Sequence, residues 1–76
     1  MVIHLGAGAD IKILFPEKLN NKVITIYDLL GKKVLQNKLD NSAEESLINI
    51  SQLSKGTYIL NINSDGNNFS KKLIKK

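Results

Sequence analysis

Apolar and polar residues alternate along most of this chain, and the alternation is clearest from Leu53 to Ile62, L-S-K-G-T-Y-I-L-N-I. Tyr58, Leu60 and Ile62 point one way while Thr57, Ile59, Asn61 and Asn63 point the other, the period of two expected of a half-buried strand. Ser54-Lys55-Gly56 forms a tight connection into that strand, a corner that suits glycine because it accepts positive φ. Ser64-Asp65-Gly66-Asn67 then supplies an Asp-Gly hairpin turn, and the partner strand runs from Asn68 to about Ile74. Upstream, Ile11, Ile13 and Phe15 share one face of a strand whose other face carries Lys12 and Leu14. Pro16, which lacks an N–H donor, ends that strand, and residues 17–21 form the connection. Lys22 to Asp28, rich in β-branched and aromatic residues, is the clearest strand of the first half. A tight turn at Asp28-Leu29-Leu30-Gly31 leads into a strand from Lys32 to Leu39.

After the polar break Asp40-Asn41-Ser42, Ser42 and Glu45 have the spacing of a helix-capping box. Leu47, Ile48 and Ile50 fit a short strand better than a helical stripe, so a strand is expected there, followed by a single helical turn at Ser51-Gln52-Leu53. Six strands with short turns and no long helix predict an antiparallel sandwich or barrel. Residues 1–9 are read as a leader, a loop or an altered first segment, and residues 10–76 as the domain.

Composition narrows the picture. At 76 residues the chain is one small domain, and without cysteine it has neither a disulfide nor a thiolate metal site to support its core. The core must be aliphatic, built on Ile and Leu. The net charge of +4 comes entirely from lysines, at 12, 18, 22, 32, 33, 38, 55, 71, 72, 75 and 76. Arginine, which grips phosphate and guanine with two parallel hydrogen bonds, is absent. A solvated basic surface, with lysines blunting exposed sheet edges, is therefore expected over nucleic-acid binding. No apolar run approaches a membrane span, and Met1 to Ala9 lacks the basic start of a signal peptide.

Catalytic constellations do not emerge. His4 stands alone without a nucleophile or carboxylate in evident reach. Glu44 and Glu45 alternate faces on a strand and cannot converge on one bond, and Asp65 belongs to its turn. Gly6-Ala7-Gly8 lacks the third glycine of a dinucleotide fingerprint, that position being Ile11. Asn49-Ile50-Ser51 and Asn68-Phe69-Ser70 match the N-glycosylation pattern, which arises readily by chance in a chain rich in Asn and Ser. Tyr27 and Tyr58 are open to a sugar-binding role, but partly buried tyrosines whose hydroxyls reach the rim are the stronger expectation. No enzyme, cofactor or metal is expected.

Three separated blocks nonetheless form a pattern: V-I-T-I-Y-D-L-L-G-K-K-V-L (Val23 to Leu35), I-N-I-S-Q-L-S-K-G-T-Y-I-L-N-I (Ile48 to Ile62) and F-S-K-K-L-I-K-K at the end. Together they resemble the type A C-terminal sorting domain carried by cargo proteins of the type IX secretion system of Bacteroidota. The resemblance spans roughly residues 10–76. It implies a small immunoglobulin-like antiparallel β-sandwich of about six to seven strands. It also implies a non-enzymatic signal that takes an attached cargo across the outer membrane to the cell surface or beyond. The partners implied are the outer-membrane translocon, a sortase-like peptidase and an N-terminal cargo, with the domain itself a monomer or weak dimer. By position, Asp28, Gly31 and Val34 and then Leu53, Gly56 and Tyr58 take the family's fold motifs. Lys71, Lys72, Leu73, Ile74, Lys75 and Lys76 take the terminal stretch read by the translocon. Family members carry a Pro-Asn-Pro type motif ahead of the first strand, where this chain reads G-A-G-A-D. Lacking a cargo and an export signal, it is read as an excised domain, a truncated product or a remnant. The alternative expectation is an immunoglobulin-like accessory module binding glycan or protein.

Overall fold

A computed structural model describes residues 2–5, 10–15, 18–39 and 44–76. Within them the chain forms seven strands: β1 (Val2–Leu5), β2 (Asp10–Leu14), β3 (Lys22–Asp28), β4 (Lys33–Leu39), β5 (Glu45–Asn49), β6 (Gly56–Ser64) and β7 (Asn67–Lys75). They make two antiparallel sheets, ordered β1-β2-β5 and β4-β3-β6-β7. The readings at Gly6 to Ala9, Pro16-Glu17 and Asp40 to Ser42 lie outside the described residues.

The period of two decides which faces meet. Ile11, Ile13 and Ile48 from the three-stranded sheet face Ile24, Ile26, Leu60 and Ile62 from the four-stranded one, all of them buried. Phe15, Leu19, Ile50, Leu53, Tyr58 and Leu73 close the core. Each fully buried aliphatic side chain contributes about 1.5–3 kcal/mol relative to exposure, and a core of this size without tryptophan depends on all of them. The chain changes sheets from β2 to β3, from β4 to β5 and from β5 to β6, while β3 and β6 lie together at the middle of the larger sheet. This is the immunoglobulin-like sandwich, with the fourth strand paired to the third rather than added to the smaller sheet. A further mark of that architecture is Tyr58, near the start of β6, whose hydroxyl donates to the carbonyl of Ser54 four residues upstream (2.7 Å). Tyrosines at the corner entering the equivalent strand bond back to the chain in this way.

Expected and observed elements differ at three places. Val2–Leu5 forms β1, an edge strand paired along β2 from Val2↔Leu14 to Leu5↔Ile11, and His4 falls on it opposite Lys12. At 50–53 the chain makes a four-residue turn closed by Leu53 N–H to the Ile50 carbonyl (3.0 Å), not a helical turn; buried Leu53 pulls the chain inward before an i-to-i+4 bond can form. Lys22, grouped by sequence with the solvated lysines, is instead completely covered. Its Nζ donates to the Leu19 carbonyl (2.9 Å) and lies 4.7 Å from the centre of the Phe15 ring. The cover is shallow, because Lys22 opens β3 at the rim of the sandwich, and desolvation there lowers its pKa from 10.5.

Glu45 forms an exposed ion pair with Lys12 (3.2 Å), and Glu44 is exposed beside it. The β6–β7 hairpin has the expected two-residue loop, with positive φ at Asp65 (49°) and Gly66 (88°).

Candidate functional site at one end of the sandwich

The motif residues, spread over half the chain, meet at one end of the molecule. Register does this: Asp28 lies opposite Tyr58 across β3 and β6, Tyr58 opposite Leu73 and Gly56 opposite Lys75 across β6 and β7. The β3–β4 turn, the β5–β6 connection and the C-terminus therefore occupy the same end.

The β3–β4 turn is tightly specified. Gly31 N–H bonds the Asp28 carbonyl (3.1 Å) and Asp28 N–H bonds the Lys32 carbonyl (2.9 Å). The Asp28 carboxylate Oδ1 accepts from the N–H groups of Leu30 and Lys32, both at 2.9 Å. Gly31 sits at φ +86°, the left-handed position that a three-residue hairpin loop needs. Val34 follows as the extra residue of a β-bulge, since Ile26 faces Leu35 while Tyr27 faces Lys33, and it packs against the core. Leu29 and Leu30, at the tip, are 70% and 94% exposed.

Across from this turn, Leu53 and Tyr58 are core residues and Gly56, at φ +153°, opens β6. Lys32, Lys33, Val34, Gln52, Ser54 and Tyr58 line a shallow depression of about 430 Å³ between the two loops. Tyr27, by contrast, lies on the outer face of the larger sheet, in a row with Lys33, Ile59 and Lys72.

The terminal stretch divides by face. Leu73 is in the core. The Nζ of Lys75 turns inward and donates to the carbonyls of Ile50 (2.8 Å) and Leu53 (2.5 Å), with Ser51 at 3.5 Å. Lys72, Ile74 and Lys76 are exposed, as is Lys71. A two-residue loop closes on a pair that exchanges both hydrogen bonds, here Ser64 and Asn67, and the bonding alternates from there. The backbone groups of Asn68, Ser70, Lys72 and Ile74 thus face the open edge of the sheet. A groove of about 270 Å³ runs beside that edge, lined by Ile3 of β1 and Lys71, Lys72, Leu73, Ile74 and Lys76.

Sequence reading named the segments that meet at this end but missed three of its features. The inward turn of Lys75 had no signal, because its carbonyl partners lie more than 20 residues away. The contribution of Ile3 was hidden with β1. The exposed leucines did leave one: two consecutive leucines inside a turn have nowhere to be buried.

Among the described residues no group of three or more His, Asp or Glu side chains gathers to hold a metal ion. No curated protein matches the chain, and no solved structure matches it. The model of the family described as secretion system C-terminal sorting domain matches residues 7–76, which includes every motif gathered at this end. The chain belongs to that family, the C-terminal sorting signals of the type IX secretion system, which interact with that system in export across the outer membrane to the cell surface or the medium.

Proposed function

We propose that this domain is a non-enzymatic signal that directs an attached cargo protein through the outer membrane, read by the translocon along β7. The observation that carries the reading is that the last strand is an edge, paired to β6 on one side and to no described strand on the other. Its open side offers backbone donors and acceptors at Asn68, Ser70, Lys72 and Ile74, all with exposed side chains, and the last two lie in the terminal stretch. A partner strand adding to this edge gains main-chain hydrogen bonds, and acidic side chains on it would meet the lysines. Leu73 and Lys75 serve instead to fix β7 to the body of the domain. Cargo joined ahead of Val2 would leave from the opposite end, since Val2 lies opposite Leu14 and Leu5 opposite Ile11, next to the motif end. That separation leaves the motif end clear of the cargo while the domain transits the periplasm, before a sortase-like peptidase acts.

The test is a reporter carrying an export signal fused ahead of residues 1–76 in a type IX-competent cell. The fusion is expected at the cell surface. Exchanging Lys72→Glu and Ile74→Ser, both exposed and outside the core, is expected to hold the reporter in the periplasm with the domain still folded. Deleting Leu73 to Lys76 is the weaker variant, because it also removes a core residue. Equal surface display with and without the exchange overturns the reading of β7.

The outer face of the larger sheet supports a second reading, an accessory module for glycan. Gln36, Thr25, Asn61 and Ser70 form one row across it, with Gln36 Nε2 donating to Thr25 Oγ1 (3.4 Å) and Ser70 Oγ to Asn61 Oδ1 (3.0 Å), beside the row that holds Tyr27. Binding through this face would be indifferent to changes at Lys72 and Ile74 that spare the fold, and glycan retention by the exchanged variant would favour it.

A further inference from the structure

The β3–β4 turn holds two leucines in water, and the sorting reading gives them no task. We infer that Leu29 and Leu30 form an anchor that dips into an anionic phospholipid surface, with lysines gathered around it meeting the headgroups. Three observations carry this. The leucines are 70% and 94% exposed and adjacent in one turn, whereas the other exposed large aliphatic side chains among the described residues, Leu47 (69%) and Ile74 (47%), stand singly on separate strands. The turn is already rigid: two backbone bonds and two bonds to Asp28 Oδ1 fix it, so no ordering of the loop is required on contact. Finally, cations from three separate segments converge on this end, Lys32 and Lys33 beside the tip, Lys55 in the β5–β6 connection and Lys76 at the C-terminus, all exposed. The described acids at the same end are already engaged, Asp28 by its own turn and Asp10 by Asn49 Nδ2 (3.1 Å). The opposite end carries exposed Glu44, Glu45 and Asp65 with Lys18 and Lys38, a mixed set in place of a basic one.

A protein pocket is the other occupant for an exposed leucine pair. Protein interfaces are depleted in lysine and draw their strongest contacts from Trp, Tyr and Arg; residues 29–33, which form the tip, include none of the three, and the nearby Tyr58 is a buried core residue. An apolar tip flanked by two lysines, on an end of the sheet that carries further lysines, is instead the arrangement that joins acyl-chain burial to headgroup attraction at a bilayer surface. Two side chains insert far less apolar surface than one acyl chain, so the contact is transient and is lost at high salt.

The chain contains no tryptophan, so Leu30→Trp introduces a single fluorophore at the tip. With vesicles of phosphatidylcholine containing phosphatidylglycerol, its emission is expected to shift to the blue. With phosphatidylcholine alone the shift is expected to be absent, and adding Lys32→Glu and Lys33→Glu should weaken it by about tenfold or more. Leu29→Ser in the same background should also weaken it. All these positions are exposed, and an unchanged circular dichroism spectrum verifies the fold. Lys72→Glu with Ile74→Ser lies outside the tip and should leave the shift intact, which separates this contact from the reading of β7. No shift on anionic vesicles, an equal shift on neutral ones, or a shift that requires outer-membrane protein in place of lipid would each overturn the inference.

Discussion

Lys22 shows how one side chain can depart from what its type suggests. Its ammonium is covered at the rim of the sandwich, held by the Leu19 carbonyl and the Phe15 ring, with its pKa depressed by desolvation. The unfolded chain regains the ordinary value near 10.5, so between the lowered value and 10.5 it holds a proton that the folded chain has released. Stability owed to this group therefore rises with pH through that window and is level below it. The difference in unfolding free energy between the wild type and Lys22→Met, followed by urea denaturation from neutral to alkaline pH, is expected to move in favour of the wild type only in the alkaline limb. A difference that stays level throughout would mean that the folded protein does not desolvate the ammonium. Nothing in the local sequence announces this role, because a lysine opening a strand ordinarily reaches water and its cover comes from the chain looping back through Leu19.

At the scale of elements, the strands legible in the sequence are those whose alternation or β-branched composition runs long enough to declare itself: β2, β3, β6 and β7, with the two faces separated for β2 and β6. β1 was not legible, since Val2–Leu5 offers four residues before Gly6 and three of them are apolar. β4 and β5 were legible in position, with their edge character set by pairing that the sequence does not display. Turns were read through their glycines, and the β3–β4 turn permits a separation of backbone from contact effects. No heavy atom beyond its chain neighbours lies within 4 Å of where a Cβ on Gly31 would be, so Gly31→Ala meets open space and is strained by φ alone. It is expected to cost about 1 kcal/mol. Asp28→Ala removes two acceptor bonds and is expected to cost roughly 1–2 kcal/mol. Because both changes loosen the same loop, the double variant should lose less than the sum, a coupling read directly from denaturation midpoints in a double-mutant cycle. Strict additivity would show that the carboxylate and the glycine do not support one structure.

For the whole molecule, the decisive question is what joins the two sheets. Apolar packing does most of it and has no direction of its own. Lys75 supplies direction: it belongs to β7 of the larger sheet, and its ammonium is held by the carbonyls of Ile50 and Leu53, which follow β5 of the smaller one. The same contact ties the terminal strand down at the end where the family's motifs meet, so β7 is presented as a fixed edge rather than a loose tail. Hydrogen bonds from a charged donor contribute roughly 1.5–3 kcal/mol each when buried, and this group is only partly so, which argues for the lower figure. In a domain of this size about 1 kcal/mol shifts the melting temperature by roughly 4–8 °C. Lys75→Met keeps most of the aliphatic stem and removes the ammonium, and it is expected to lower the melting temperature by several degrees and to speed amide exchange in β7. Lys76→Met, exposed one residue further on, removes the same charge and should do neither. If the two variants melt alike, the loss belongs to net charge, and the sheets are held in register by packing alone.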